Sequence, residues 1–403
     1  MNNSTTIKDI VDAGLCIGCG LCEALAKNVT MQSDNNGSLR PFPLNGFTAA
    51  EEIQCSQVCP GIHINVPASQ GASPDVVWGH SLNMQYAWAT DAKVRHIGST
   101  GGVLSALGRF LLDSGEVDFI YHVKADSEKP VQSHACISET TEQVMQGAGS
   151  RYAPVAPLTR LAEALDRNQP FAVIAKPCDL SAIENLSAHD DRINQLIKYR
   201  LTMVCGGQST SDKATTTLHN KNIEESTVTL YRHRGYGNPG PTRIETTDGR
   251  SVEISYQQLW ADEAGWCLES RCKLCPDALG DCADIAAADV WPGGSPTGED
   301  EGFNGIVVRT PAGQSLVQQA CKAQTLSLGN HITAEQFNDF QPHQVRKKQA
   351  LKWRLQGLET TGTLTINAPD SRLDALGEAL PPDQRQREIQ GAITRFAKVR
   401  SDV

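Results

Sequence analysis

Three cysteines stand two residues apart in the stretch GLCIGCGLCEAL, at Cys16, Cys19 and Cys22, and a fourth is followed by proline at Cys59-Pro60. This is the spacing with which a bacterial-ferredoxin loop holds a [4Fe–4S] cluster. Three thiolates on one tight loop reach three corners of the cube, and a distant cysteine supplies the fourth. Glycines at 18 and 20 let the backbone approach. A zinc knuckle is the competing interpretation, but zinc sites pair one C-x2-C with another rather than using a triplet. Cys55 competes with Cys59 for the fourth place; the proline, which turns the chain away, favours Cys59. With one triplet, this segment is expected to hold one cluster.

The 403-residue chain carries 13 cysteines and a net charge of −10. Its length suggests two or three domains with ample core. The charge argues against nucleic acid or an anionic membrane as the main partner. No apolar run approaches the roughly 18 residues needed to span a bilayer, and the first residues lack the basic and apolar blocks of a signal peptide. A cytosolic location is expected. There, an odd and large number of cysteines points to metal ligation rather than to disulfides.

The organisation divides in three. Residues 1–70 read as a small, loop-rich ferredoxin-like [4Fe–4S] module. A Pro/Ser/Gly/Ala-rich linker covers residues 66–77. Residues 75–328 alternate strand-like runs (EVDFIYHV, FAVIAKP, LIKYRLTMV) with helical spacing, as in STGGVLSALGRFLLDSG, and predict an α/β core. Residues 329–403 read as a helical extension, clearest in PHQVRKKQALKWRLQGLE, with the last 25 residues partly disordered.

A second set of cysteines is scattered. Cys178 in VIAKPCDL and Cys205 in LTMVCGG each follow an apolar strand, and SRCKLCPD supplies Cys272 and Cys275. In open α/β sheets the loops after strand carboxyl ends form the ligand crevice, so these four can converge. Buried structural cysteines, or a thioredoxin-like couple at Cys272 and Cys275, are the alternatives. GSTGGVLS offers glycines and hydroxyls at a helix start, a pattern suited to a phosphate-bearing cofactor, although a plain capped helix explains it too. RHRGYGNPGPTR is either a hairpin or the wall of a pocket for a planar ring, with Tyr236 as its aromatic face. Cys136, Cys267, Cys282 and Cys321 are read as structural, with Cys267 and Cys282 as outside candidates for ligation. The basic residues 346–354 are either a solvated helix face or a dock for an acidic ferredoxin.

With STGGVLSALGRFLL, GSRYAP, KPCDLSAIENL, RCKLCPDALGDCADIAAADVW and GFNGIVVRTPAGQSL in place, the chain resembles the coenzyme F420 hydrogenase/dehydrogenase beta subunit family over roughly residues 10–355. Within it, the fused cysteine module and the RGYGNPGPT loop look closest to the branch of 7-hydroxymethyl chlorophyll a reductase and ferredoxin-dependent divinyl chlorophyllide reductase. The resemblance implies an FAD and a second [4Fe–4S] cluster, held by Cys178, Cys205, Cys272 and Cys275, in the α/β core. It implies FAD contacts at Ser99, Thr100, Gly101, Gly102, Ser150, Arg151, Tyr152 and Asn304. Lys176 is expected beside the flavin ring, as cofactor contact and catalytic charge, with Tyr236 as a candidate proton donor and His233 as another. The implied activity is a flavin and iron–sulfur reductase that takes electrons from ferredoxin, or a similar one-electron donor, and reduces a small organic substrate. The alternative is an electron-transfer beta subunit of an F420-type hydrogenase or dehydrogenase. Either is compatible with a homo-oligomer.

Overall fold

The computed structural model describes residues 5–65, 74–261, 267–368 and 371–401; most of the expected linker lies outside them. In the N-terminal part, β1 (Thr30–Ser33) and β2 (Leu39–Phe42) form an antiparallel ribbon. Among the described residues the centre of the molecule is an eight-stranded mixed sheet. Its strands are β3 (Asn83–Ala89), β4 (Phe119–Ala125), β5 (Ser133–Ser138), β6 (Phe171–Ala175) and β7 (Ile197–Met203), joined after a separate hairpin unit by three more. That unit is β8 (Val228–Arg232), β9 (Thr242–Thr246) and β10 (Ser251–Ile254). β11 (Ile285–Asp289), β12 (Asn304–Val308) and β13 (Leu326–His331) complete the large sheet in the order β13-β3-β12-β11-β7-β6-β4-β5.

The strands β4, β6, β7 and β11 run parallel. Antiparallel strands flank them, β5 on one side and β12, β3 and β13 on the other. The inner strands are near-continuous runs of small and branched apolar residues, as expected for strands covered on both faces. Side chains alternate across the sheet. Phe119, Tyr121, Phe171 and Val173 enter one core with Leu180 and Ile183, while Ile120 and Ala172 enter the other with Leu107, Leu111 and Ile306. The glycine-led helix appears at Val103–Asp113; of its expected apolar face, Val103, Leu107, Phe110 and Leu111 are buried and Leu104 is half-buried.

The chain ends depart from expectation. The N-terminal residues do not close a core of their own. Ile7, Ile10 and Leu15 share one with Leu351, Leu358, Leu373 and Phe396 from the C-terminal helices Pro342–Thr360, Ser371–Glu378 and Pro382–Ser401. The expected disorder of the last 25 residues is therefore corrected. Among the described residues of that stretch, Pro382–Ser401 form a helix anchored by Phe396 at 1% exposure. The boundary at residue 328 also falls inside β13, which pairs with β3 at the sheet edge.

Candidate functional site

Cys16 and Cys19 lie on the loop between the helices Ile7–Asp12 and Leu21–Leu25, and Cys22 on the first turn of the second helix. Gly18 turns the loop with φ +67°, and a Cβ there would lie 2.8 Å from the Leu39 carbonyl. The turned backbone aims the Gly18 N–H at the Cys16 sulfur and the Leu21 N–H at that of Cys19. Cys59 closes the helix Ala49–Val58; its carbonyl accepts the Ile62 N–H at 3.2 Å, and the Gly61 and Ile62 N–H groups lie near enough its thiol to oppose the upward push of burial. These four cysteines line one apolar hollow of about 320 Å³ together with Ile7, Ile10, Val11 and Met31. Cys55 sits behind it, 1% exposed in the core, close enough to help raise the Cys22 thiol.

The central site is built by the sheet. Cys178 follows β6 at the start of the helix Pro177–Ser187, and Cys205 follows β7. Cys272 and Cys275 lie on the short turn that begins at Ser270. All four face one cleft of about 480 Å³. The Gln208 N–H reaches the Cys272 sulfur at 3.5 Å, and the Gln344 amide donates to the Cys205 carbonyl at 2.8 Å. Lys176 and Lys347 line the same cleft. Lys176 pairs with the fully buried Asp179 at 2.9 Å, and its charge stands beside the thiols of Cys178 and Cys205. Lys347 is half-buried; of its basic neighbours, Lys348 is buried on the Val77 carbonyl, Lys352 pairs with Glu378 and Arg354 with Glu388. In the stretch 346–354, Lys348, Lys352 and Arg354 thus have internal partners, while Arg346 is exposed.

Burial raises the thiols in both sites. Cys59 is pushed up to about 12 by burial and by neighbouring Cys16, and Cys272 to about 12 by burial and Cys205. Burial also lifts Cys275, opposed by the charges of Lys347 and Arg271. Thiols held this way bind metal by releasing protons. Among the described residues no three His, Cys, Asp or Glu side chains gather at the distances of a single metal ion. A cubane, with one iron at each thiolate corner, does not require the sulfurs to meet at one point, and four thiols around a hollow suit it.

The two sites adjoin. Ile17 lines both cavities. Arg271, beside Cys272, donates to the carbonyls of Pro60 and Gly61 at 3.0 and 2.7 Å.

The glycine loop forms a third cluster. Thr100, at φ +61°, donates its hydroxyl to Asp289. Arg234 binds Asp289 at 3.0 Å, Thr100 at 3.2 Å and the Tyr152 hydroxyl at 3.5 Å. Ser150 joins through its hydroxyl to Ser99 at 2.9 Å and through its N–H to the Arg234 carbonyl at 3.3 Å. Ser99, Thr100, Ser150 and Tyr152 therefore gather about the buried Arg234 and its half-buried partner Asp289, a pair that the sequence motifs do not single out. The available signals were the arginine inside RHRGYG and an aspartate ending a parallel strand.

The remaining expected contact residues each have partners within the protein. The Asn304 amide oxygen accepts from the Gly101 and Val103 N–H groups at 3.0 and 3.3 Å, and its nitrogen donates to the Ala288 carbonyl at 3.1 Å. It holds the loop from inside. A Cβ on Gly101 would lie 2.8 Å from Asn304, and Gly102 has φ +70°, so both glycines answer to the protein's own packing. Arg151 spends its guanidinium on the carbonyls of Tyr231, Pro130 and Gln132 at 2.9, 2.7 and 3.1 Å. Tyr236, in the β8–β9 loop, has its ring under the guanidinium groups of Arg232 at 4.3 Å and Arg243 at 5.5 Å. His233 is 3% exposed, and burial lowers it to about 3, which favours the neutral imidazole.

Fold and site define a mixed α/β protein whose central sheet presents a thiol-lined cleft after its parallel strands, with a second thiol site alongside. The sequence profile of the "Coenzyme F420 hydrogenase/dehydrogenase, beta subunit" matches in two parts, the N-terminal one over residues 84–163 and the C-terminal one over residues 169–333. The chain belongs to the coenzyme F420 hydrogenase/dehydrogenase beta subunit family. It is 23% identical to the coenzyme F420-dependent sulfite reductase of Methanocaldococcus jannaschii over 77% of this chain and 46% of that protein. It is 27% identical to the F420-dependent formate dehydrogenase 1 subunit beta of Methanococcus maripaludis over 60% of each chain. It thus spans about half to three-fifths of the length of these relatives. A chain of the F420-reducing [NiFe] hydrogenase complex from Methanosarcina barkeri has the same fold, with a TM-score of 0.58 at 17% identity, covering 74% of this chain and 99% of that one. Among the described residues no helix is long and apolar enough to cross a membrane.

Proposed function

We propose that the chain is an iron–sulfur flavoprotein unit for electron transfer, exchanging electrons between a partner subunit or small one-electron donor and a two-electron carrier of the coenzyme F420 class. The observation that carries this reading is the convergence of Cys178, Cys205, Cys272 and Cys275, from three separate segments, on one cleft beside a second four-thiol hollow. Cys16, Cys19, Cys22 and Cys59 would hold one [4Fe–4S] cluster and the central four another. Ser99, Thr100, Ser150 and Tyr152, organised by Arg234 and Asp289, would receive the FAD at a helix start. When bound, the clusters carry electrons singly and the flavin joins one-electron to two-electron chemistry.

The residues' own tasks are positional and electrostatic. Backbone N–H groups on Cys16, Cys19 and Cys59 favour thiolate over thiol. Lys176, kept charged by Asp179, would stabilise the thiolates of Cys178 and Cys205 rather than a flavin ring. Asn304 fixes the glycine loop on which the cofactor hydroxyl contacts depend. Ile17 excludes water between the two sites.

The family relatives carry F420-linked names, which favours this reading over ferredoxin-fed reduction of a pigment or another small molecule. The second reading retains one argument: the N-terminal thiol site lies outside the matched residues 84–163 and 169–333. An anaerobic assay separates them. Flavin-loaded protein should reduce a viologen dye at the expense of reduced F420. Loaded protein that ignores F420, yet turns over with reduced ferredoxin and an organic acceptor, would establish the second reading.

A further inference from the structure

Arg271 is 2% exposed, and its hydrogen bonds run to backbone carbonyls. Two reach Pro60 and Gly61, the residues directly after Cys59, and the third reaches Leu274, the residue before Cys275, at 3.1 Å. Among the described residues the guanidinium makes no ion pair with a carboxylate. Burying an unpaired guanidinium is expensive unless a compensating charge lies close by. The two thiol sites are where such charge would lie. Arg271 lines the central cleft, while its bonds hold the loop that turns Cys59 into the N-terminal hollow. Arg40 offers a contrast. It stands beside Cys16 alone, and Glu269 neutralises it at 2.8 Å.

We propose that Arg271 is the shared counter-charge of the two thiol sites, a positioning residue whose single buried cation stabilises the reduced state of both. This rests on the reading that each site holds an iron–sulfur cluster. Adding one electron to either cluster raises its negative charge by one, with no bond made or broken. A fixed cation between them favours that change at both. The carbonyl bonds keep the cation in register with Cys59 and Cys275 at once.

The test is a redox titration, followed by electron paramagnetic resonance, of full-length protein purified anaerobically as wild type, Arg271→Gln and Arg271→Lys. Iron and sulfide are counted first. In R271Q the reduced-to-oxidised ratio at a given potential should fall about tenfold for both clusters, a shift of about 59 mV in each one-electron couple. R271K, which keeps the charge, should stay within about threefold of wild type at both, or about 30 mV by the same constant. Two loaded clusters whose ratios do not move in R271Q, or only one of which moves, overturn the assignment. If R271Q fails to load, R271K decides: loading with near-wild-type ratios supports the shared charge, and failure to load assigns the residue to packing instead. Wild-type protein that holds fewer than two clusters overturns the underlying reading, and the inference with it.

Discussion

The N-terminal and central thiol sites have the same four-cysteine composition but are built in different ways. The first takes three of its cysteines from one short stretch, whose glycines and N–H groups are arranged locally around the sulfurs. The second takes its four from the end of β6, the end of β7 and a turn some seventy residues further on, brought together by parallel strand pairing. One is a local device that the fold covers; the other exists only because the fold does. Their electrostatics differ as well. The N-terminal site has Arg40, already neutralised by Glu269, whereas the central site has Lys347 at its wall besides Lys176, which pairs with Asp179.

The sharpest way to break this comparison is to remove one thiol from each site. Cys19→Ser should cost about half of the bound iron while the flavin stays, and Cys272→Ser should cost the other half, if each site holds its own cluster. Iron and flavin counts check this; loss of all iron from either variant would mean that the sites assemble as one. Cys59→Ser should behave like Cys19→Ser. Cys55→Ala should keep its iron and lose only about 1–2 kcal/mol of stability from a vacated core position, measured by denaturant unfolding.

Acid should strain the sheet region more than the N-terminal one. Burial holds His122, on β4, down to about 4 from an ordinary 6.5. Below pH 6.5 the unfolded chain takes up a proton that the folded chain refuses, so stability present above that pH is lost as pH falls toward 4. For His122 the loss is on the order of 3 kcal/mol. Unfolding of the metal-free protein across this range should show it, and His122→Gln should flatten the slope.

A smaller effect is expected at the third cluster. Arg234→Met should weaken flavin retention by about tenfold or somewhat more, the worth of a lost charged hydrogen bond, while iron stays at wild-type levels. Dialysis against apo-protein with fluorescence detection measures it. The smallest change separates the two thiol sites electrostatically. Lys347→Gln should lower the reduced fraction of the central cluster a few-fold and leave the N-terminal one unmoved, because Lys347 faces Cys272 and Cys275 but no cysteine of the other site.

How much of this was legible in the sequence follows the same local-versus-tertiary divide. The strands β4, β6 and β7 and the helix Val103–Asp113 were readable because their apolar periodicity is local. The N-terminal cysteines declared themselves by spacing. The central four were only a possible convergence until a family resemblance grouped them, since no spacing encodes which strands lie side by side. Arg234 and Asp289 were invisible for that reason: they stand 55 positions apart, and only the meeting of the β8–β9 loop with the end of β11 makes them a pair. Lys176 could be placed beside Cys178 from sequence, but its buried partner Asp179 could not be read off the motif. The C-terminal helices were read as an appendage since their polar surface is plain in sequence, whereas their few core residues, such as Leu358 and Phe396, gain meaning only against Ile10 and Leu15.

The most direct test of two separate thiol sites is the iron and acid-labile sulfide content of the full chain purified without oxygen. About eight of each per chain is the predicted result for two cubanes. Four of each, or zinc in place of iron, would contradict it.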